Sequence, residues 1–480
     1  MTQASAYELP QDRLATMDEQ GHRVFLHPAD VKGKYHSWRK IVHNVLLVVF
    51  LVLPWIQING QQALLLDVAK RRFAIFGLAF WAHDTPMLIF VATGTLFGIS
   101  LVTAVLGRVW CGWSCPETVF VETVYRQIER LIEGNAVERR RLQAAPWGPK
   151  KLGLRALKWG AFLAVSLIIT HSFLAYFVGT ETLAQMMRHK PAENPGTFAF
   201  MAISTGIILF FFGWFREQFC IIMCPYGRFQ SVLLDENSMV VAYDSQRGEP
   251  RRGSTMVKED APGETALKQQ GDCINCYRCV QVCPTGIDIR RGLQLECIAC
   301  TACIDACDEV MHNIKKPAGL IRYTTENGLN GKANRHIRPR VILLSLVTMG
   351  IGVGLVYTLL TRPPIKATVF NAKSTPYQML QSNQKDAMLT NQFYVVASNY
   401  TFDDGEIQFK TNNPEVKIIT QVNPVNLSAG EEKKIGIFLE FPKHVLKMGK
   451  ARIKMDLETR AHNQRWQRVL TQEVPLVGPF

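Results

Sequence analysis

Five long apolar stretches without charged residues constrain this 480-residue chain more than any other feature. They cover Ile41–Ile58, Pro86–Leu106, Trp159–Val178, Thr197–Phe215 and Val341–Thr361. A helix needs about 20 mostly apolar residues to cross a bilayer, so each stretch predicts a membrane-spanning helix. Buried helices of a soluble protein are the alternative, which five such runs disfavour. The shorter apolar stretch Phe73–Trp81 is predicted to be an interfacial or re-entrant segment.

The distribution of basic residues predicts how the chain lies across the membrane. Its net charge is +14, and the loop of residues 107–158 alone carries ten Lys and Arg, whereas residues 181–195 carry only Arg188 and Lys190. Because basic loops stay in the cytoplasm, residues 1–40, 107–158 and 216–340 are predicted to be cytoplasmic and the C-terminus periplasmic. Basic residues at 70–72 count against this orientation, but more weakly. The charge is explained without nucleic-acid binding.

The residues after the last apolar stretch have a different pattern. Seven short alternating runs follow, separated by Gly, Pro, Asn and Asp: 366–370, 393–396, 406–410, 416–421, 434–440, 451–457 and 465–471. Short strands at this spacing are typical of an immunoglobulin-like β-sandwich. The segment contains no cysteine, so we expect neither a metal cluster nor a disulfide there.

Eight of the twelve cysteines form two copies of the pattern C-x2-C-x2-C-x3-C. The copies run from Cys273 to Cys283 and from Cys297 to Cys307, and this is the bacterial ferredoxin spacing, in which the fourth cysteine ligates the other cluster. A zinc site would need different separations. We therefore predict two 4Fe–4S clusters. The cluster-one set is Cys273, Cys276, Cys279 and Cys307, and the cluster-two set is Cys283, Cys297, Cys300 and Cys303.

The other four cysteines form a C-x3-C-P motif after the second span and another after the fourth. These are Cys111, Cys115 and Pro116, and then Cys220, Cys224 and Pro225. Proline favours the first position of a helix, so we expect Cys115 and Cys224 to lie at helix N-termini, where the macrodipole lowers a thiol pKa. Four converging thiols suit Cu(I), zinc or a further Fe–S cluster.

Two histidines lie inside predicted spans. His43 and His171 could ligate haem or carry protons, but nothing else in the sequence indicates haem, which favours ordinary polar packing.

The motifs around these cysteines resemble the CcoG/FixG/RdxA family over nearly the whole chain. The likeness is carried by the segments of residues 107–116, 216–230, 243–251 and 286–290. The resemblance implies a bacterial inner-membrane iron–sulfur protein that acts in assembly of the cbb-type cytochrome c oxidase. It further implies reduction of Cu(II) to Cu(I), with Cys111, Cys115, Cys220 and Cys224 as the copper site. Oxidase assembly factors or a copper transporter are the partners that this implies, together with membrane lipid, whereas no motif identifies the electron donor.

The complete prediction is a multi-domain protein: a helical membrane bundle with an inserted ferredoxin domain and a C-terminal all-β sandwich. Its parts are an N-terminal segment (1–40), a four-helix membrane domain (41–230), the ferredoxin domain (231–340), a fifth span (341–361) and the periplasmic sandwich (362–480). Two other functions remain open beside cupric reduction. One is electron transfer in a quinol-oxidising chain, and the other is a non-enzymatic scaffold with structural clusters.

Overall fold

The computed structural model describes residues 16–479, apart from 18–19, 21, 59–60, 69–71, 82–84, 253–270, 336, 372–376, 381–387 and 462–464. The chain divides into two compact units. Unit 1 comprises Met1–Ile56 and Phe90–Val353, and unit 2 comprises Gln57–Ile89 and Gly354–Phe480.

Among the residues that the structure describes, five helices are long and apolar enough to cross a membrane, which confirms the five predicted spans. They are α1 (Lys34–Val52), α2 (Thr85–Leu106), α7 (Pro149–Val178), α9 (Pro195–Ile208, continued by a π-helical turn Leu209–Phe215) and α15 (Pro339–Thr361). Proline at the first position starts α7 and α9, where a missing N–H costs nothing. The longest, α7, ends at Gly179 with φ 89°, a conformation that favours glycine.

Shorter helices connect the spans of unit 1. They are α3 (Val109–Trp113), α4 (Pro116–Phe120), α5 (Arg126–Glu133), α6 (Ala136–Ala144), α8 (Thr180–Arg188), α10 (Pro225–Leu233), α11 (Ser245–Gly248), α12 (Arg278–Gln281), α13 (Ala302–Asn313) and α14 (Glu326–Leu329). A π-helical turn, Val121–Tyr125, joins α4 to α5. Asn135 starts α6 with a capping box, in which its side chain accepts from the Glu138 N–H and the Glu138 carboxylate accepts from the Asn135 N–H.

The ferredoxin segment is framed by a two-stranded antiparallel sheet. Strand β6 (Val240–Tyr243) precedes the cysteines, and β7 (Ile321–Thr324) follows them and pairs with it. One buried apolar cluster joins these strands to α12 and α13, and it includes Val241, Ile304 and Ile321 together with cysteines of both sets. The two cysteine repeats therefore fold against a common core.

The C-terminal part of unit 2 is a sandwich of two antiparallel sheets. The first sheet has the order β12 (Lys417–Ile419), β14 (Glu432–Pro442), β10 (Met388–Asn399), β8 (Ile365–Asn371), with β9 (Gln378–Met379) also on β10. The second has the order β13 (Val425–Leu427), β11 (Gly405–Thr411), β15 (Lys450–Ala461), β16 (Gln467–Val477). Alternate residues of both sheets fill the core, among them Val395, Ile437 and Leu457. The immunoglobulin-like prediction is confirmed, and the short strands β9 and β13 were not foreseen.

The segment Phe73–Trp81 is extended and not helical, and its placement at the membrane interface or as a re-entrant segment stays a prediction. It forms a hairpin of β4 (Arg72–Ile75) and β5 (Leu78–Trp81), and β3 (Leu64–Asp67) pairs with β4. Phe76 and Gly77 both have positive φ, as a two-residue hairpin turn requires. Two further short strands, β1 (Gln57–Ile58) and β2 (Gln61–Gln62), precede this hairpin in unit 2. Backbone pairing in a small sheet therefore explains an apolar run that is too short to span a membrane.

Candidate functional site: two ferredoxin loops beside four thiols

Both ferredoxin repeats adopt the same loop conformation. In the first, Asn275 and Tyr277 on either side of Cys276 have left-handed φ values of 58° and 56°. In the second, Ala299 and Thr301 on either side of Cys300 have φ values of 52° and 62°. Left-handed residues of this kind turn successive backbone N–H groups toward one point, which favours a negatively charged group there.

The fold brings ferredoxin cysteines that are distant in the sequence close to one another, and the division into two ligand sets stays a prediction. Cys307 interacts electrostatically with Cys273 and Cys276, which are more than 30 positions away in the chain, and Cys303 interacts with the other three members of its own set. A cavity among the cluster-two thiols is lined by Cys283, Cys297, Cys300 and Cys303. Two sets of four thiols, each on a left-handed loop and a following helix, fit two 4Fe–4S clusters.

The two C-x3-C-P motifs also share one backbone conformation. The Cys115 N–H donates to the Trp110 carbonyl at 2.9 Å, and the Cys224 N–H donates to the Phe219 carbonyl at 2.8 Å, so in both motifs the bond joins residues five positions apart. Each second cysteine is then the N-cap residue of a helix that starts with proline, α4 in the first motif and α10 in the second. The sequence predicted this placement of Cys115 and Cys224.

The structure brings the four thiols of these motifs together. Cys220 interacts electrostatically with Cys111, Cys115 and Cys224, although it comes from a different motif than the first two. Gln230 holds the first motif in place, since its amide donates to the Gly107 carbonyl at 3.1 Å and its oxygen accepts from the Cys111 thiol at 3.5 Å.

The expected lowering of the thiol pKa by the helix N-terminus is wrong for Cys115. Burial is the largest effect and raises the pKa of Cys115, although the N–H groups of Glu117 and Thr118 act in the opposite direction. Burial likewise raises the pKa of Cys111 to about 12. The thiols of Cys111 and Cys115 are therefore protonated at neutral pH when no metal is bound, and binding of a soft metal must displace their protons.

The first C-x3-C-P motif lies directly against the cluster-two loop. A Cβ on the buried Gly112 would lie 2.5 Å from the Ile298 carbonyl oxygen and 2.9 Å from the Cys300 backbone, so only glycine permits this approach. Cys111 and Cys220 pack against the apolar cluster that contains Cys300. Both kinds of cysteine site therefore meet within unit 1.

Two arginines hold this junction together, and the sequence analysis did not identify either of them as part of the site. Arg108 donates to the Cys297 carbonyl at 3.3 Å and to the Gly227 carbonyl at 3.0 Å, which joins the ferredoxin loop to the second motif. Arg39, from α1, donates to the Cys300 carbonyl at 2.9 Å. Both residues entered the sequence analysis only as basic residues that set the orientation. The one signal in the sequence for Arg108 is its position three residues before Cys111.

A buried carboxylate also borders the thiols. Glu117 is two residues after Cys115, and its Oε1 is buried with no hydrogen-bond partner among the described residues. Burial and the nearby Glu217 raise the pKa of Glu117 to about 8, against the weaker influence of Arg216.

The two histidines inside the spans have ordinary polar contacts. His43 is buried, with Nδ1 3.1 Å from the Thr123 hydroxyl and Nε2 3.3 Å from the Gly112 carbonyl. The Nδ1 of His171 lies 2.7 Å from the Leu167 carbonyl one turn earlier in α7. These contacts match the packing interpretation.

Among the residues that the structure describes, no three His, Cys, Asp or Glu side chains lie close enough to hold a single metal ion. Thiols that bind a four-iron cluster are separated by the cluster itself, so this finding is compatible with the two ferredoxin sets. For the C-x3-C-P thiols it means that capture of one ion requires the side chains to move toward each other.

Comparison with known proteins agrees with this architecture. A family model for a 4Fe–4S dicluster domain matches residues 215–326, one for a 4Fe–4S binding domain matches residues 86–155, and one for the IG-like fold at the C-terminal of FixG matches residues 355–479.

Three curated proteins are similar over most of the chain. Protein RdxA of Cereibacter sphaeroides is 33% identical over 80% of this chain and 81% of its own. Protein RdxB of the same organism is 36% identical over 76% and 78%, and the nitrogen fixation protein FixG of Rhizobium meliloti is 34% identical over 79% and 77%. Together with the five spans, the ferredoxin cysteines and the sandwich, these similarities show that the chain belongs to the FixG/RdxA family of membrane-bound iron–sulfur electron-transfer proteins.

Proposed function

We propose that this protein reduces Cu(II) to Cu(I) at the four C-x3-C-P thiols and thereby serves assembly of a cbb-type cytochrome c oxidase. The observation that carries the proposal is the contact between Gly112 and the Cys300 loop, in which the backbone of the first C-x3-C-P motif lies directly against the cluster-two loop. Electron transfer between redox centres requires such close approach.

The chemistry of the thiols supports copper as the substrate. Cu(II) prefers nitrogen and oxygen ligands, whereas thiolates prefer Cu(I), so four converging cysteines stabilise the reduced ion. When bound by the eight ferredoxin cysteines, the clusters would supply the single electron that converts Cu(II) to Cu(I). The protein's own groups do the rest: Cys111, Cys115, Cys220 and Cys224 close on the ion, and Gln230 orients the Cys111 thiol at 3.5 Å.

The test is anaerobic reduction of Cu(II) by the full-length protein, followed with a chelator that is specific for Cu(I). The double variant Cys111→Ala, Cys220→Ala should lose reduction while keeping its iron and the cluster absorption. A matched double variant, Ser114→Ala with Ile222→Val, changes the same two motifs without removing a thiol and should reduce copper like the wild type.

Reduction at the wild-type rate by the cysteine variant would show that these thiols are not the copper site. Loss of iron together with activity would instead indicate that the motifs are structural. Turnover of a quinone analogue in place of copper would favour a role in a quinol-oxidising chain.

A further inference from the structure

A basic cavity of about 260 Å³ lies beside the first turns of α1 in unit 1. It differs chemically from the thiol sites, since its lining residues include no cysteine. Five of the lining side chains are basic and two are acidic: Arg39, Lys40, Arg126, Arg130 and Arg139, against Asp30 and Glu122. The cavity therefore has more cationic than anionic groups in its wall.

The ion pairs around this cavity leave particular donors without partners. Arg126 uses its Nη groups for Glu122 and Glu217, and Arg139 uses Nη1 for Glu129 at 3.3 Å. Within the described part of the chain, the Nε–H groups of Arg126 and Arg139 are buried and have no hydrogen-bond acceptor. A buried donor without an acceptor costs about 1–3 kcal/mol, so the site favours a ligand with several acceptor oxygens.

The position of the cavity along α1 indicates where its ligand comes from. Lys40 and Asn44, which both line the cavity, are exposed on α1. Lys40 directly precedes Ile41, where the apolar stretch begins, and Asn44 lies one turn further along the helix. Ile41 and Val45 are themselves more than half exposed. The cavity therefore opens where the helix passes from polar to apolar surroundings, at the depth of lipid headgroups.

We propose that this cavity binds a phosphate group, supplied by the headgroup of an anionic phospholipid or by a soluble phosphate. A phosphate offers several charged oxygens to arginine and lysine, and basic pockets at the ends of membrane-spanning helices bind lipid headgroups. Arg39, Arg126 and Arg139 supply positive charge in the wall of the cavity, and Lys40 supplies a charge at the mouth. This site is independent of copper, so it goes beyond the proposed function.

Occupancy of the cavity is coupled to the ferredoxin segment through Arg39. This side chain lines the cavity and also donates to the Cys300 carbonyl at 2.9 Å. A bound anion beside Arg39 would reduce the positive potential at the cluster-two loop. We therefore expect phosphate binding to lower the midpoint potential of that site, because positive charge favours the reduced and more negative cluster.

The experiment measures binding of two ligands to the detergent-solubilised full-length protein. Native mass spectrometry follows phosphatidylglycerol, with phosphatidylcholine as the zwitterionic control, and calorimetry follows inorganic phosphate. The variant Lys40→Gln should weaken binding about fivefold, which corresponds to about 1 kcal/mol for one lysine near a headgroup. The control Lys34→Gln removes the same charge from α1 at an exposed residue that does not line the cavity, and it should bind like the wild type.

Each outcome decides the proposal. Preference for phosphatidylglycerol that is weakened by Lys40→Gln, and weakened again by Asn44→Asp at the mouth, supports it with lipid as the source. Binding of inorganic phosphate with the same dependence on the variants supports it with a soluble source. The proposal is overturned if Lys40→Gln and Lys34→Gln bind both ligands equally, or if inorganic phosphate does not bind and phosphatidylglycerol is not preferred over phosphatidylcholine.

Discussion

Glu129 is the centre of a buried ion network, and we predict that Glu129→Gln strongly destabilises the protein. Its carboxylate is 2% exposed and accepts from both Nη groups of Arg216, at 2.7 and 3.1 Å. Arg139 lies 3.3 Å and Lys158 3.6 Å from the same carboxylate, and Lys158 also pairs with Glu133 at 3.0 Å. Three cations from three segments of the chain are therefore paired with one carboxylate.

The magnitude follows from the charges that the substitution leaves unpaired. Breaking a buried ion pair by removing one partner costs about 3–5 kcal/mol. Glutamine keeps the size and one acceptor oxygen of Glu129 but not its charge. The cost of about 3–5 kcal/mol therefore comes from loss of the negative charge and not from a cavity. Unit 1 comprises Met1–Ile56 and Phe90–Val353. For a unit of this size, about 1 kcal/mol shifts the melting temperature by about 1.5 °C, so the melting temperature should fall by roughly 4–8 °C.

The pH dependence follows from the pKa of Glu129. Burial by itself would raise this pKa, but Arg216, with Lys158 and Arg139, holds it well below its usual range. A lowered pKa in the folded state means that the stabilisation is complete above the unfolded value of about 4.3 and disappears as the pH falls toward the folded value. The difference between wild type and Glu129→Gln should therefore stay constant from pH 8 to about pH 5.

The assay is thermal unfolding of the purified protein in detergent at several pH values. The control Asp30→Asn breaks the ion pair with Arg130. The Asp30 side chain is 47% exposed and the Arg130 side chain 43%, so the loss of this pair should cost no more than about 1 kcal/mol. If the melting temperatures of Glu129→Gln and Asp30→Asn differ by less than about 2 °C at pH 7, the network does not contribute as the structure implies.

Three further predictions concern the clusters, the orientation and the junction. Anaerobically purified protein should contain about eight iron atoms, and Cys279→Ala or Cys303→Ala should each lose about half, whereas one cluster's worth in the wild type contradicts two sets. A periplasm-specific reporter should be active when fused after Phe480 and inactive after Arg247, and the reverse pattern would show that the loop charges were misinterpreted. Gly112→Val should leave the iron content unchanged but slow Cu(II) reduction at least tenfold, since its side chain would force the two sites apart. An unchanged rate of reduction would show that Cu(II) reduction does not depend on this contact.

Much of the architecture follows from local patterns in the sequence. Span lengths, cysteine spacing and strand alternation each depend on residues within one element, so all five spans, both ferredoxin loops and the sandwich could be predicted. Local patterns do not predict the structure of a segment whose conformation depends on contacts with other parts of the chain. The run Phe73–Trp81 is apolar like a membrane segment, but the Phe76–Gly77 turn and pairing with Leu64–Asp67 make it a hairpin.

The thiol site shows the same division. The sequence placed Cys115 at a helix N-terminus, yet whether its pKa rises or falls depends on burial, which residues far away in the chain create. The approach of Gly112 to Cys300 likewise joins segments almost 190 residues apart, which no spacing rule anticipates.

The start of the first span is a final case. No side chain next to Gly33 caps α1, and instead the Asp305 carboxylate, from a helix of the ferredoxin segment, accepts from the N–H groups of Tyr35 at 3.2 Å and His36 at 2.6 Å. The sequence by itself determined that α1 is a helix, because its apolar residues satisfy their backbone bonds within the helix. Only the tertiary structure decided where that helix begins and what lies against it, because unpaired N–H groups at a helix start bind whichever acceptor the folded chain brings to them.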